Sequence, residues 1–206
     1  MDPHLRERYI EQFKDLLLQA TTGIEPKYFK LPIVGEGGAV SRIYRERVYC
    51  YELYHCMRNL WDDAYPFTLN GEVDKSGHPR FQGTPVALLK PDFLVHIPSV
   101  WEGNLIVMEV KPITSRPEDI EKDLCSFTAF RQHGRYHKGI YLVYGGDEEE
   151  FNAYRRTVAE LGNRELTCGS RRRPDRQYND RIDLGFLDLC WHQRAGQQAR
   201  FVPIND

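Results

Sequence analysis

The chain lacks most of the features that commit a sequence to a membrane, a disulfide scaffold or a nucleotide-binding loop. Its 206 residues contain no apolar run of the roughly 18 residues that a membrane helix needs, so no spanning segment is expected. The N-terminal MDPHLRERYIEQF has neither the basic start nor the apolar centre of a signal peptide, and a cytoplasmic location is the expectation. Cysteine is sparse and odd in number, five residues with no C-x-x-C. That argues against a zinc ribbon or a stapled secreted scaffold, and the cysteines read as reduced thiols, mostly small core residues. A formal charge of −2 excludes a uniformly basic, histone-like binder, so any nucleic-acid contact must come from a local patch. Gly35-Glu36-Gly37-Gly38 is followed by no Gly-Lys-Ser/Thr and is therefore no phosphate loop. With no repeats and no long linker, residues 1–206 read as one domain with a sizeable core.

The informative stretch is 90–112, KPDFLVHIPSVWEGNLIVMEVKP. Phe93-Leu94-Val95-His96-Ile97 and Leu105-Ile106-Val107-Met108 are short, branched or aromatic, and bounded by turn formers, as buried strands are. Side chains alternate along a strand, so Glu109 and Lys111 point to one face and Val110 to the other. Pairing of the two strands sets Asp92 beside Glu109. Two carboxylates and an ammonium then meet at the end of an apolar sheet, where a packed core has no use for them. A hard cation such as Mg²⁺ does. The bland alternative is an ordinary hairpin ending in an exposed salt bridge.

Pro91-Asp92, a spacer of sixteen residues and then Glu109-Val110-Lys111 resemble the signature of the PD-(D/E)xK nucleases, the restriction-endonuclease-like superfamily. With YELYHCMR and LNGEVDKSGH, the stretch resembles an uncharacterised bacterial branch of it over about residues 45–145. Two partial copies elsewhere lack the strand context: Pro174-Asp175 in an arginine-rich loop, and Glu25-Pro26-Lys27 in a proline- and glycine-rich stretch. The resemblance implies an α/β fold with a central mixed sheet flanked by helices. It also implies metal-dependent hydrolysis of nucleic-acid phosphodiesters, in the first place of DNA. Asp92, Glu109 and the Val110 carbonyl would hold Mg²⁺ or Mn²⁺, and Lys111 would orient water or act as a base. An extra acidic ligand on the helix before the sheet is matched by Glu52, which borders that helix's apolar stripe; the alternative is a half-exposed helix glutamate paired with an arginine. A homodimer is compatible with this reading. Two rivals remain: a nuclease-like module that only binds nucleic acid, and a structural α/β protein with a chance motif.

Around this centre, residues 2–20 read as an amphipathic helix capped by Asp2, with Leu5, Tyr9, Phe13, Leu16 and Leu17 inward. Residues 21–41 read as a flexible connection. A helix is expected over 41–61, burying Tyr49, Leu53, Cys56, Met57 and Leu60. Glu72 and Asp74 share a face of a short strand between two turns, bordering the metal site or on an edge. Ser115-x-x-Glu118 predicts the cap of a helix with Ile120, Leu124, Phe127 and Phe130 inward. The strand at 139–144 is then parallel to that of Glu109. Asp147-x-x-Glu150 opens a last helix to 161, which completes a core of about 41–162. Arg171, Arg172, Arg173 and Arg176 form either a solvated loop or a phosphate clamp. A C-terminal hairpin elaboration spans 182–204.

Overall fold

The run Leu105–Met108 has no polar side, and such a segment is stable as a strand only where both faces are covered. The structure, a computed structural model, describes residues 1–73, 81–168 and 178–205. In it the run lies in β5 (Asn104–Pro112), buried at every position but the half-buried Pro112. β5 pairs antiparallel with β4 (Phe93–His96) on one side and parallel with β6 (Lys138–Tyr144) on the other. Beyond β4 lies β3 (Thr68–Gly71), antiparallel. Beyond β6 come β9 (Leu187–His192), parallel, and β10 (Arg200–Val202), antiparallel. The result is a six-stranded mixed sheet, β10-β9-β6-β5-β4-β3, flanked by helices. The α/β class expected from the sequence is therefore the class observed, and the C-terminal hairpin is the far edge of this same sheet.

Period-two alternation sorts the sheet into two apolar layers. Ile106, Met108 and Val110, with Ile140, Leu142 and Tyr144, face α1 (Pro3–Thr21) and α3 (Glu46–Asn59), meeting Phe13, Leu17, Tyr49, Leu53 and Met57. Val107, Tyr141 and Val143 face the opposite layer, which holds Leu124 and Phe127 of α4 (Pro117–Gly134) with Phe151 and Val158 of α5 (Glu148–Gly162). Each side chain so buried contributes about 1.5–3 kcal/mol. α4 is the crossover between β5 and β6, as the strand–helix–strand spacing requires. α5 begins on the capping box of Asp147 and Glu150, both arms of which form. After β6 the chain turns through Gly145 and Gly146, both at positive φ, and a Cβ at Gly145 would run into the Tyr44 ring.

Several boundaries move, each for a local reason. The buried stripe of α1 is Ile10, Phe13, Leu17, Ala20 and Thr21, and Leu5 is exposed. The stretch 21–41 is ordered: α2 (Pro26–Phe29) leads into β1 (Leu31–Val34), which pairs antiparallel with β2 (Val40–Ile43). This hairpin takes the residues expected to start the second helix, so α3 begins only at Glu46, with Arg45 still extended. Cys56 is half-buried and Leu60 exposed, so neither belongs to its buried stripe. The Ser115 cap does not form: Arg116 is held extended by the following Pro117, and the helix starts at the proline. The strand expected near Glu72 ends at Gly71, and Glu72 has left-handed φ of 44°.

The cysteines depart from the expectation most clearly. Cys125 of α4 and Cys168 of β7 (Glu165–Cys168) are joined in a disulfide, with Cα atoms 5.3 Å apart, while Cys50, Cys56 and Cys190 are free. No C-x-x-C marks the pair, because the partners lie 43 residues apart and meet only when β7 packs beneath α4. β7 pairs with β8 (Tyr178–Arg181) in a small ribbon, which the bond ties to the main core. Closing so long a loop in the unfolded chain is worth about 2–4 kcal/mol. Reduction with dithiothreitol should therefore lower the melting temperature by on the order of 10 °C for a chain of this length. A Cys125→Ser/Cys168→Ser variant should melt at the lower temperature with or without reductant. Equal melting of reduced and unreduced wild type would show that the bond carries no stability.

Candidate functional site

Phe93 is opposite Met108, and the antiparallel register continued by one residue sets Asp92 opposite Glu109. Asp92 Oδ2 accepts the Val110 N–H at 2.7 Å, and the Glu109 carboxyl hydrogen-bonds to Asp92. The N–H and C=O of one strand residue point to the same edge, so the Val110 carbonyl also faces the side of Asp92. Glu109 and Lys111 share the face of Val107, the one covered by α4 and α5. Lys111 reaches across the end of the sheet, with Nζ 2.9 Å from Glu46 Oε2 at the start of α3 and 3.4 Å from Asp123 Oδ2 on α4. Asp123 is 2% exposed and accepts a hydrogen bond of 3.1 Å from the Tyr141 hydroxyl. That hydroxyl is in turn 2.9 Å from the hydroxyl of Tyr154. Four elements thus bring one ammonium and four carboxyl groups together.

Burial dominates the electrostatics. It pushes Asp92 up to about 6 against the pull of Lys111, and Asp123 up to about 7 against the same pull. Burial, then repulsion from Asp123 and Asp92, drives Glu109 well above the ordinary carboxylate range. For Lys111, burial works against the charge, but Asp123, Glu46, Glu109 and Asp92 together outweigh it and raise its pKa. In the metal-free protein the lysine is therefore held as a cation. Glu109 and the half-buried Asp92 are thus hydrogen-bonded carboxyls whose pKa values are both pushed up, chiefly by burial.

Among the described residues, no set of three or more His, Cys, Asp and Glu side chains is gathered as a metal cage. Lys111 engages Glu46 and Asp123, and Asp92 and Glu109 stand beside it as a pair. That pair still fits a cation that takes one or two carboxylates and fills its shell with water, as Mg²⁺ does. A buried and a half-buried carboxyl crowded at one place, each disfavoured as an anion, are a donor set whose charge a cation would offset.

Not every predicted residue reaches this cluster. Asp92, Glu109, Val110 and Lys111 meet as expected. Glu52 sits half-buried on α3, where its charge is felt by Cys56. It lies six residues beyond Glu46, about 120° around the helix and about 9 Å along it, so the helix acid at the site is Glu46. Glu72 has its backbone N–H on the Asp92 carbonyl at 3.3 Å, but its carboxylate turns outward to Arg47 Nε at 3.3 Å. Arg171, Arg172, Arg173 and Arg176, with Asp74, lie outside the described residues. Sequence reasoning missed Glu46 because the helix start was placed too early. It missed Asp123 although a signal was present: 120, 123, 127 and 130 form one helical stripe, and an acid at its centre needs a partner.

No family model, no curated protein and no solved structure matches this chain.

The raised carboxyl pKa values make a prediction for metal-free protein. A carboxyl that holds its proton more tightly when folded stabilises the fold below its unfolded pKa near 4, and that contribution is lost as pH rises through 6 and 7. Buried His192, pushed down to about 4 by burial, acts in the opposite direction below pH 6.5, so the comparison must be made between variants at each pH. Asp92→Asn should melt several degrees above wild type at pH 7.5, each kcal/mol being worth roughly 2–4 °C, and level with it near pH 4. A difference that does not change with pH would mean that Asp92 is not strained by ionisation.

Proposed function

We propose that the protein is a metal-dependent nuclease of the PD-(D/E)xK type with a restriction-endonuclease-like core, hydrolysing phosphodiester bonds of DNA. One observation carries the reading: Asp92, Glu109 and Lys111 converge at the end of β5 with the carboxyls too crowded and buried to ionise freely. Asp92 and Glu109 would hold Mg²⁺ or Mn²⁺, with the Val110 carbonyl as a further oxygen. Such a cation, when bound, lowers the pKa of a coordinated water and offsets charge on the transition state. Lys111, kept charged by its carboxylate neighbours, directs its ammonium towards a phosphate oxygen or orients the attacking water. Glu46 and Asp123 hold that ammonium from two sides, and Tyr141, braced by Tyr154, fixes Asp123.

A substrate of this kind would place the protein in the cytoplasm, where the Cys125–Cys168 bond faces reducing conditions. A structural rival draws on the same ion pairs, since Lys111 already neutralises Glu46 and Asp123 without any ligand.

Plasmid, linear and single-stranded DNA offered with Mg²⁺, Mn²⁺ or Ca²⁺ separates the two. Mg²⁺ and Mn²⁺ should support cleavage and Ca²⁺ binding alone, because its larger, looser shell positions water poorly. Lys111→Ala should lower the rate about a hundredfold to a thousandfold. Glu46→Gln should cost about tenfold to a hundredfold, as loss of close support does, and Glu52→Gln should cut like wild type. Full activity of Lys111→Ala, or undiminished cleavage in excess EDTA, would overturn the proposal. Absence of cleavage with every metal would favour the structural rival.

A further inference from the structure

The β1–β2 hairpin is poorly explained by packing. Its register pairs Pro32 with Arg42 and Val34 with Val40, so these four residues share the outward face. Val34 and Val40 are 70% and 65% exposed, the two most exposed large hydrophobic side chains among the described residues. Directly opposed β-branched residues at an uncovered tip contribute nothing to the core and invite association. The turn between them, Gly35 to Ala39, is exposed at both ends, and Gly37 and Gly38 adopt positive φ.

The base of the hairpin, by contrast, is anchored. Tyr44 packs edge-on against Tyr144 at 5.4 Å between ring centres, and its hydroxyl accepts the Gly146 N–H at 3.2 Å. Lys30 Nζ lies 4.3 Å over the Tyr44 ring. Two residues on, Glu46 touches Lys111, so the base of the ribbon is joined in sequence to the proposed active site. Charge names the partner. Residues 30–47 carry four basic side chains, Lys30, Arg42, Arg45 and Arg47, against two acids, in a chain of net charge −2; Arg47 is paired with Glu72, which leaves Lys30, Arg42 and Arg45. Arg42 and Arg45 are exposed. A second copy of the ribbon would meet it with the same positive charge, whereas a polyanion is complementary.

We propose that the β1–β2 ribbon is a duplex-DNA arm that enters the major groove, with Val34 and Val40 at its tip, and with Arg42 on its outward face and Arg45 just beyond its base against the flanking phosphates. The choice of DNA rests on the nuclease reading above. The dimensions fit: two strands lie about 4.8 Å apart and four residues extend about 13 Å, and a major groove about 12 Å wide admits a two-stranded ribbon. Valine methyls meet the thymine methyl there without demanding a hydrogen bond. Arginine forks on the phosphates supply affinity and register.

Fluorescence anisotropy of the full chain with a labelled duplex of about 20 base pairs, in Ca²⁺ and across a salt series, tests this without cleavage. Arg42→Ala/Arg45→Ala should weaken binding about tenfold to a hundredfold and flatten the dependence of log K on log salt by about two contacts. Val34→Ser/Val40→Ser should weaken binding several-fold and leave the salt slope intact. All four positions are exposed, so unchanged melting of each variant should confirm the fold. Wild-type affinity and slope in the arginine variant would overturn the arm, as would a change of oligomeric state with unchanged DNA binding. Cleavage by wild type with no effect of the ribbon variants removes the arm and leaves the nuclease. Binding that depends on the ribbon, with no cleavage in Mg²⁺, leaves the arm and removes the nuclease.

Discussion

One ammonium among four carboxyl groups is the constraint on which the rest of the site depends. Lys111 lies closest to Glu46 and Asp123 and is held charged by them together with Glu109 and Asp92. An unpaired charge buried this deeply would cost several kcal/mol. With the lysine in place the cluster is tolerable but still short of positive charge. The deficit falls on Asp92 and Glu109, whose pKa values burial pushes up. A fold selected for stability alone would fill the end of β5 with apolar side chains, as it does along Leu105–Met108. That it does not is the physical ground for proposing a cation at this place.

The central architecture was readable because its signals are local and strong. A short apolar run ending in Glu109-Val110-Lys111 specifies a buried strand whose last side chains leave the core. The 3.6-residue stripe from Ile120 to Phe130 specifies the helix that covers it. What was not readable depended on competition between neighbouring elements. Glu46 becomes the site's helix acid because β2 takes Val40 to Ile43 out of the helix and leaves Glu46 in its first turn. Helical spacing alone favoured Glu52, which borders the apolar stripe, but it carries no information about where a helix begins. Asp123 is different: its place in the α4 stripe was visible, and the need of a buried acid for a partner would have pointed to Lys111. The Cys125–Cys168 bond joins elements far apart in the chain, and no spacing rule reaches it.

The site is assembled from α3, the start of β4, the end of β5 and α4, so its geometry is a property of the whole sheet and both helical layers. Tyr141 extends this dependence into β6, and Tyr154 extends it into α5. The periphery is held by other means. The Tyr44 ring and the Gly145–Gly146 turn fix the base of the β1–β2 ribbon, and a covalent bond fixes the β7–β8 ribbon to α4. Both ribbons are small two-stranded units that could not stand alone, and each is tied to an element that also carries a site residue.

The most direct test of the central claim is calorimetric titration of Mn²⁺ into the metal-free protein near neutral pH. Wild type should bind saturably, Asp92→Asn and Glu109→Gln should each lose that binding, and Glu52→Gln should retain it. Absence of Mn²⁺ binding to wild type, or binding unaffected by both carboxylate substitutions, would contradict a metal centre at the end of β5.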